Sequence, residues 1–430
     1  MSIEEIIIES RESVNRICCG IDIHRDFACV SVIERSAQGD IELGYQKVST
    51  IKPQMLGMRD WLLSLGVTVA GIESTGKYWF SVFNALEGHI KLNVYNARHI
   101  KNLPGKKTDK SDSRWIAKVA LDETIRPSFI PDAQIRDARM LARYRKSLVQ
   151  ERTRVRQQTH GILESAGIKI SGQVSDLFGT SGRNLLRLIV EELPYNELII
   201  EKSVRNQVRM KVPAIMQAMD GYIRPNQISI LKKLLANNDI FTHQIHVIEQ
   251  ELKEVLLDTP EKIEICERVK SLPGFSENSA LILLAEIGFD LSAFPTIKHF
   301  CSWAGMSPGR RESAGKNLSG KIQNRQKYLR SLMIEIALVA ITRHNTYLRA
   351  KYFSLKPRIG ANKAVIAIAH KLIKAVYLAV KENKPYYELT DEYVSISQLA
   401  RDKRKLEQIT ARLGGETVAA LLDSITKDKV

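Results

Sequence analysis

Between residues 17 and 121, short apolar runs alternate with turns and helix-like stretches. Ile17 to Ile23 reads as a strand, His24-Arg25-Asp26 as a turn, and Phe27 to Glu34 and Ile41 to Val48 as two further β-like runs. Met55 to Leu65 has a helical pattern. Val67 to Glu73 is a strand rich in β-branched residues, Tyr78 to Leu86 a helix, Leu92 to Tyr95 a short strand and Ser111 to Leu121 a helix. The order βββαβαβα predicts a meander followed by alternating units. In such an α/β sheet the first and fourth strands are neighbours.

The pattern then changes. Leu141, Leu148, Val155 and Ile162 recur every seven residues, and between them lie Arg143, Arg145, Lys146, Arg152, Arg154 and Arg156 against one acid, Glu151. The spacing predicts a long basic helix with one apolar seam. Two readings stay open: an exposed helix held along one stripe, or a coiled coil that also places Arg145, Arg152 and Arg156 on nucleic acid. Residues 170–225 read as helical with Gly and Pro breaks. A second seam steps by threes and fours through Leu231, Leu234, Asn238, Phe241, Ile245, Ile248, Leu252 and Val255. Its single polar member, Asn238, suits a register-setting role. The two seams suggest an antiparallel coiled-coil pair, within one chain or between chains; plain bundle packing is the alternative.

Residues 265–380 read as a mostly helical unit. Leu272-Pro273-Gly274-Phe275 precedes a strong helix from Ser279 to Glu286. A Pro-Gly turn before a helix suits a helix-hairpin-helix-like element with Pro273 and Gly274 at a backbone phosphate, though an ordinary αα-corner fits as well. Gly305 to Arg330 is basic and glycine-containing, with Arg310, Arg311, Lys316, Lys321 and Arg325 as candidate phosphate contacts. These changes divide the chain into 14–130, a helical linker and assembly region over 131–262, a C-terminal domain over 263–385, and a charged extension over 386–430 to which no role attaches.

Composition narrows the function. Lys and Arg number 64 against 48 Asp and Glu, a net charge of +16 and a pI near 9.5. That excess favours a polyanionic partner, most simply nucleic acid, without telling RNA from DNA. The most apolar run, Ala364 to Val380, is interrupted by His370, Lys371 and Lys374, so a membrane partner is not expected. Met1 to Ser10 carries three glutamates and lacks the basic start of a signal peptide. Five irregularly spaced cysteines form neither a disulfide framework nor a zinc pattern, and a reducing, cytoplasmic setting is expected.

Four carboxylates stand out by placement. Asp22 lies inside the apolar run Ile21-Asp22-Ile23. Glu73 ends another strand in Ala70-Gly71-Ile72-Glu73-Ser74-Thr75-Gly76. Asp109 and Asp112 open a helix in Lys107-Thr108-Asp109-Lys110-Ser111-Asp112, at an i, i+3 spacing that shares one face. A carboxylate beside an apolar strand is costly to bury unless paired or metal-bound. Neighbouring strand ends bring these acids together, and hard divalent cations, Mg²⁺ first, relieve such clusters. Taken singly, Asp22 also suits a turn, and Asp109 and Asp112 also suit a helix N-terminus.

These motifs resemble the DEDD transposases of the large bacterial insertion-sequence family often called the IS-one-ten group. Gly20-Ile21-Asp22, Gly71 to Gly76 and Lys107 to Asp112 carry the likeness in the first half. Leu272-Pro273-Gly274 through Ala285-Glu286-Ile287-Gly288, then Trp303-Ala304-Gly305-Met306-Ser307-Pro308, carry it in the second. The resemblance implies an RNase H-like (RuvC-like) N-terminal domain. It also implies a catalytic set of Asp22, Glu73, Asp109 and Asp112 holding two Mg²⁺ ions, with Mn²⁺ as a substitute. A nucleophilic serine is expected in Arg311-Glu312-Ser313-Ala314-Gly315-Lys316-Asn317-Leu318-Ser319-Gly320. Ser313 is the best match; Ser319 keeps the family's Ser-Gly pair but sits late, and Ser307 precedes the proline. The resemblance further implies a phosphoserine link to DNA, a homodimer or homotetramer, a bacterial cytoplasmic location, and an element-encoded noncoding guide RNA that pairs with donor and target DNA. The competing expectations are a metal-dependent nuclease or junction resolvase in which water attacks, and a non-catalytic nucleic-acid scaffold.

Overall fold

The structure, a computed structural model, describes residues 17–36, 38–74, 76–96, 109–307, 311–313, 316–319, 326–384, 386, 403 and 407–418, with backbone alone at 206, 311–313 and 316–319. Arg310, Lys321, Arg325, Lys107, Thr108 and most of the charged extension lie outside the described residues. The chain forms two units, Met1–Ile130 and Pro131–Val430.

The first unit runs β1 (Ile17–Ile23), β2 (Phe27–Ser36), β3 (Gly39–Ser49), α1 (Lys52–Ser64), β4 (Val69–Glu73), α2 (Trp79–Leu86), β5 (Lys91–Tyr95) and α3 (Asp109–Asp122). The element order agrees with the βββαβαβα reading. Its five strands form one mixed sheet in the order β3-β2-β1-β4-β5. The meander is antiparallel, because the short reversal at His24 to Asp26 allows nothing else. β4 lies parallel to β1, and β5 to β4; these steps need the crossovers that α1 and α2 supply.

β1 is buried on both faces, which is why it reads as an unbroken apolar run. Cys19, Ile21 and Ile23 point to a core shared with Met55, Met58 and Leu62 of α1 and Val82 and Leu86 of α2. Cys18 points the other way, to a smaller core with Ile116, Ala117 and Ala120 of α3. By the two-residue period, Gly20 and Asp22 share the α3 face with Cys18.

Gly20 and Gly71 are register partners on β1 and β4. A Cβ on Gly20 would stand 2.0 Å from the Ser113 carbonyl oxygen and 2.1 Å from the Ala117 nitrogen; on Gly71 it would stand 3.0 Å from Ile116 Cγ2. The paired glycines therefore let the backbone of α3 lie directly on the sheet. A buried hydrogen bond between Ser31 and Ser113 hydroxyls, 2.8 Å long, fixes the helix there. Gly20→Ala is expected to cost about 3 kcal/mol or more, because backbone and not a flexible side chain must give way. Urea unfolding of the variant checks it; a loss under about 1 kcal/mol would show that α3 can shift.

The second unit is mostly helical: α4 (Ala133–Ser165), α5 (Thr180–Val190), α6 (Glu197–Ser203), α7 (Val212–Met219), α8 (Pro225–Leu256), α9 (Pro260–Lys270), α10 (Glu277–Ile287), α11 (Ile297–Trp303), a two-stranded ladder β6 (Arg311–Ser313) and β7 (Lys316–Ser319), α12 (Lys327–Thr342), α13 (Tyr347–Ile359) and α14 (Ala361–Lys381). α4 starts at Asp132, whose side chain accepts the Ile135 amide proton. α4 and α8 lie antiparallel within one chain. Gln134 reaches Val255, Arg145 reaches Glu249, Arg156 reaches Asn238 and Gln227 reaches Ser165. Asn238 is buried, as its seam position predicts.

The α4 seam differs in detail from the seven-residue reading. It runs through Ile135, Ala138, Ala142, Leu148, Val155, Thr159 and Leu163, while Leu141 and Ile162 are half-buried. A strict heptad drifts about 20° per repeat around a straight helix, so its outer members leave the contact line. Residues between the long helices form their own core, with Ile170, Leu185, Leu186, Ile200 and Ile215 fully buried. No helix among the described residues is long and apolar enough to cross a membrane.

Candidate active site

Asp22 reaches the α3 face at the end of β1, two residues past Gly20. One residue beyond the last paired positions, Ile21 and Ile72, the parallel register sets Asp22 beside Glu73. Because the glycines admit α3 so closely, its first turn, with Asp109 and Asp112, lies over the same strand ends. Three steps of local structure thus converge: a strand end, a glycine floor and a helix start.

Ligand atoms of Asp22, His24 and Asp109 all lie within 4.8 Å of one another. His24 Nε2 is 3.2 Å from Asp22 Oδ2 and 3.7 Å from Asp109 Oδ1. The reversal after β1 holds the imidazole: the His24 amide donates to the Phe27 carbonyl at 2.9 Å, and the two rings are 4.6 Å apart. In the sequence His24 reads as a turn residue. The signal that finds it is its i+2 spacing from Asp22, which keeps both on one face as the strand ends.

The electrostatics are those of crowded acids. Burial pushes the Asp22 carboxyl above its ordinary value; His24 opposes this, and Asp112 and Asp109 add to it. The hydrogen bond from the Tyr45 hydroxyl to Cys29 Sγ, followed by burial and then by Cys29, Asp109 and Asp22, pushes the phenol up to about 12. Two carboxylates and an imidazole in ligand reach, with a third carboxylate close enough to act on Asp22, form a donor set that suits a hard divalent cation. Glu73 is half-buried on the neighbouring strand end and is not one of the three converging groups.

In the second unit the structure places Ser313 at the end of β6, in register with Lys316, while Arg311 is in register with Ser319. Ser313 and Ser319 therefore stand at opposite ends of one short ladder. Ser307 is half-buried before it.

The basic candidates on α4 are engaged within the fold. Arg145 donates to Glu249 at 2.7 Å. Arg156 donates to Asn238 at 3.0 Å and lies 4.7 Å from the Phe178 ring. Arg152 sits between them, its guanidinium held below its ordinary value by burial, then by Arg156 and Arg145. Arg145 also lines a cavity of about 230 Å³ with Arg143, Lys146, Glu286 and Tyr328. There the buried Glu286 accepts both Arg143 donors, at 2.9 and 3.0 Å. Pro273 and Gly274 are buried beneath α12: a Cβ on Gly274 would stand 2.5 Å from the Ile336 carbonyl oxygen, and its φ is +84°. As placed, the turn serves as a close-packed corner.

Comparison with known proteins gives the class. A family model described as a DEDD transposase matches residues 19–168, which include Asp22, Glu73, Asp109 and Asp112. A second, described as the transposase IS116/IS110/IS902 family, matches residues 266–353, which include the serine ladder. The chain belongs to this family of insertion-sequence transposases. It is 25% identical over 329 residues to the transposase for insertion sequence element IS1111A of Coxiella burnetii, covering 75% of this chain and 80% of the relative. It is 22% identical over 336 residues to a probable family 20 transposase of Pseudomonas aeruginosa, 76% of this chain and 88% of the relative. A pilin gene-inverting protein of Moraxella bovis is 26% identical over 171 residues, 38% of this chain and 52% of that protein.

Proposed function

We propose that this transposase cuts and religates DNA through a covalent phosphoserine, with Ser313 as nucleophile and an acidic pocket of Asp22, Glu73, Asp109 and Asp112 that holds Mg²⁺. The observation that carries the reading is the convergence of Asp22, His24 and Asp109 above paired glycines, on the motif residues of the first matched segment. The first unit's strand order fits an RNase H-like domain, and the second unit divides into an assembly region and a serine-bearing domain. A divalent cation in the pocket would polarise the scissile phosphate and lower the charge between strand and carboxylates.

The chain's own residues do the rest. Asp22 and Asp109 present oxygens from a strand end and a helix start that cannot move independently, because α3 rests on Gly20 and Gly71. His24 orients the Asp22 carboxylate through Nε2. Ser313 Oγ attacks phosphorus: a serine–phosphorus bond forms, the bond to one deoxyribose oxygen breaks, and that oxygen takes the serine's proton. A second strand's hydroxyl reverses the step, so the phosphodiester is conserved without hydrolysis. Arg311 and Lys316, on strands beside Ser313, supply positive charge for the phosphoryl group.

The same reading includes a homodimer or homotetramer and an element-encoded RNA that selects donor and target by base pairing; the excess of 64 cations over 48 acids supports a large nucleic-acid cargo. Donor and target plasmids, purified protein and RNA transcribed from the flanking element test it. Recombinants are expected with RNA and Mg²⁺ and are expected to vanish with either omitted or with EDTA. Recombination without RNA would remove the guidance, and linear products with free ends would favour a nuclease.

A further inference from the structure

Between Glu335 and Glu382 the chain carries no acidic residue across 46 consecutive positions, which hold nine Lys or Arg and two His. At the chain's own frequency, 48 acids in 430 residues, such a stretch would hold about five. It comprises the end of α12 and all of α13 and α14, which rest on one another and on α12. The joint between α13 and α14 is the single residue Gly360, at φ +84°.

The charges sit on ordered faces. α14 buries Ala364, Ile368, Leu372 and Val376, and its other side carries exposed Lys363 and Lys374 with half-buried Ala367 and His370 between them, stepping four, three and four. α13 carries Arg349, Phe353 and Lys356 on one line; the guanidinium is 5.0 Å and the ammonium 6.0 Å from the exposed Phe353 ring. Lys371 of α14 stands 5.1 Å from the Tyr347 ring of α13. Arg349 and Lys381 donate to the backbone carbonyls of Ile341 and Phe294. Among the described residues, none of the other seven cations has a carboxylate partner, whereas most other ion pairs of this unit are local and complete. α14 even opens with Lys363 and no acid in its first turn, against its own dipole. His370 is held below its ordinary value by burial, then by Lys374 and Lys371.

Among the described residues such a surface keeps its own repulsion unrelieved, and a polyanion would supply the counter-charge. We propose that the α13–α14 face is a docking surface for the phosphate backbone of duplex DNA. Duplex is favoured over single strand because the Phe353 ring already carries two cations and offers no free stacking platform of the kind unpaired bases use. DNA is favoured because the chain is a transposase and α12, which supports both helices, follows the serine ladder in the same unit. The inference rests on the chain acting on DNA, not on Ser313 being the nucleophile.

The test uses full-length protein and a fluorescent random-sequence duplex of about 30 bp, titrated across a salt series. The variant combines Lys356→Ala, Arg358→Ala, Lys363→Ala and Lys374→Ala, all at exposed positions. Its plot of log affinity against log salt is expected to be shallower by about 3 to 4, equally for any sequence, with thermal unfolding unchanged. A companion with Lys356→Arg, Lys363→Arg and Lys374→Arg keeps the charge and is expected to keep the slope. An unchanged slope in the alanine variant overturns the proposal. So does a slope lost only for an RNA hairpin of matched length, which would assign the face to RNA. Ser313→Ala is run alongside; its recombination result bears on the nucleophile and leaves the slope comparison intact.

Discussion

Asp22→Ala is expected to abolish recombination, by about three orders of magnitude or more, while leaving DNA binding in place and the metal-free fold no less stable. The loss follows from position. Of the three converging groups, Asp22 is the acid that the sheet carries, and His24 Nε2 lies near both Asp22 and Asp109. The stability result follows from the sign of its shift. Burial, aided by Asp112 and Asp109, raises the folded-state pKa of Asp22. Its contribution is therefore fully present below the unfolded value and is lost as pH rises through the folded value. At neutral pH the ionised carboxylate is a burden on the fold, and Asp22→Asn should melt higher than the wild type in EDTA, with the difference shrinking as pH falls. Plasmid recombination and thermal melts at several pH values check both parts. Activity within about tenfold of wild type would remove Asp22 from the chemistry.

Ser313→Ala is the second large effect. Loss of a nucleophile leaves only binding and electrostatic assistance, so recombination should fall by about four orders of magnitude or more. Ser319→Ala is the informative control. It stands in register with Arg311 at the far end of the ladder, and Ser313 stands with Lys316. If Ser313 is the attacking group, Ser319→Ala should stay within about threefold of wild type, as should Ser307→Ala. A collapse on Ser319→Ala with Ser313→Ala still active would move the nucleophile to the other end of the same ladder.

The sheet was legible because each strand is a short apolar run bounded by turns, and because parallel neighbours follow from crossover connections once β1 and β4 are recognised. The convergence of Asp22 with Asp109 was legible for the same reason. The role of Gly20 and Gly71 was not: a glycine two residues before an acid has no meaning until a helix backbone is seen against it. His24 was hidden by its Arg25-Asp26 neighbours, which read as a turn. The long helices are plain from periodicity, and Asn238 is buried at the seam position that the three- and four-residue steps give it. The arginines between were ambiguous, since a basic side chain facing a partner helix and one facing phosphate have the same sequence signature. Pro273-Gly274 left a phosphate-binding turn and an αα-corner equally open, because only the third dimension brings Ile336 and Ala340 onto the glycine. The acid-free run over α13 and α14 was visible in composition, but its ordered cation rows needed the helix faces.

The most direct measurement of the account is capture of protein on a nicked suicide substrate in Mg²⁺, resolved on denaturing gels and mapped by peptide mass spectrometry. Wild type should yield a phosphoester at Ser313, and Asp22→Ala, though bound to the same DNA, should yield none. An adduct of equal yield in Asp22→Ala would contradict the claim that the amino-terminal acids and the distant serine act on one phosphate.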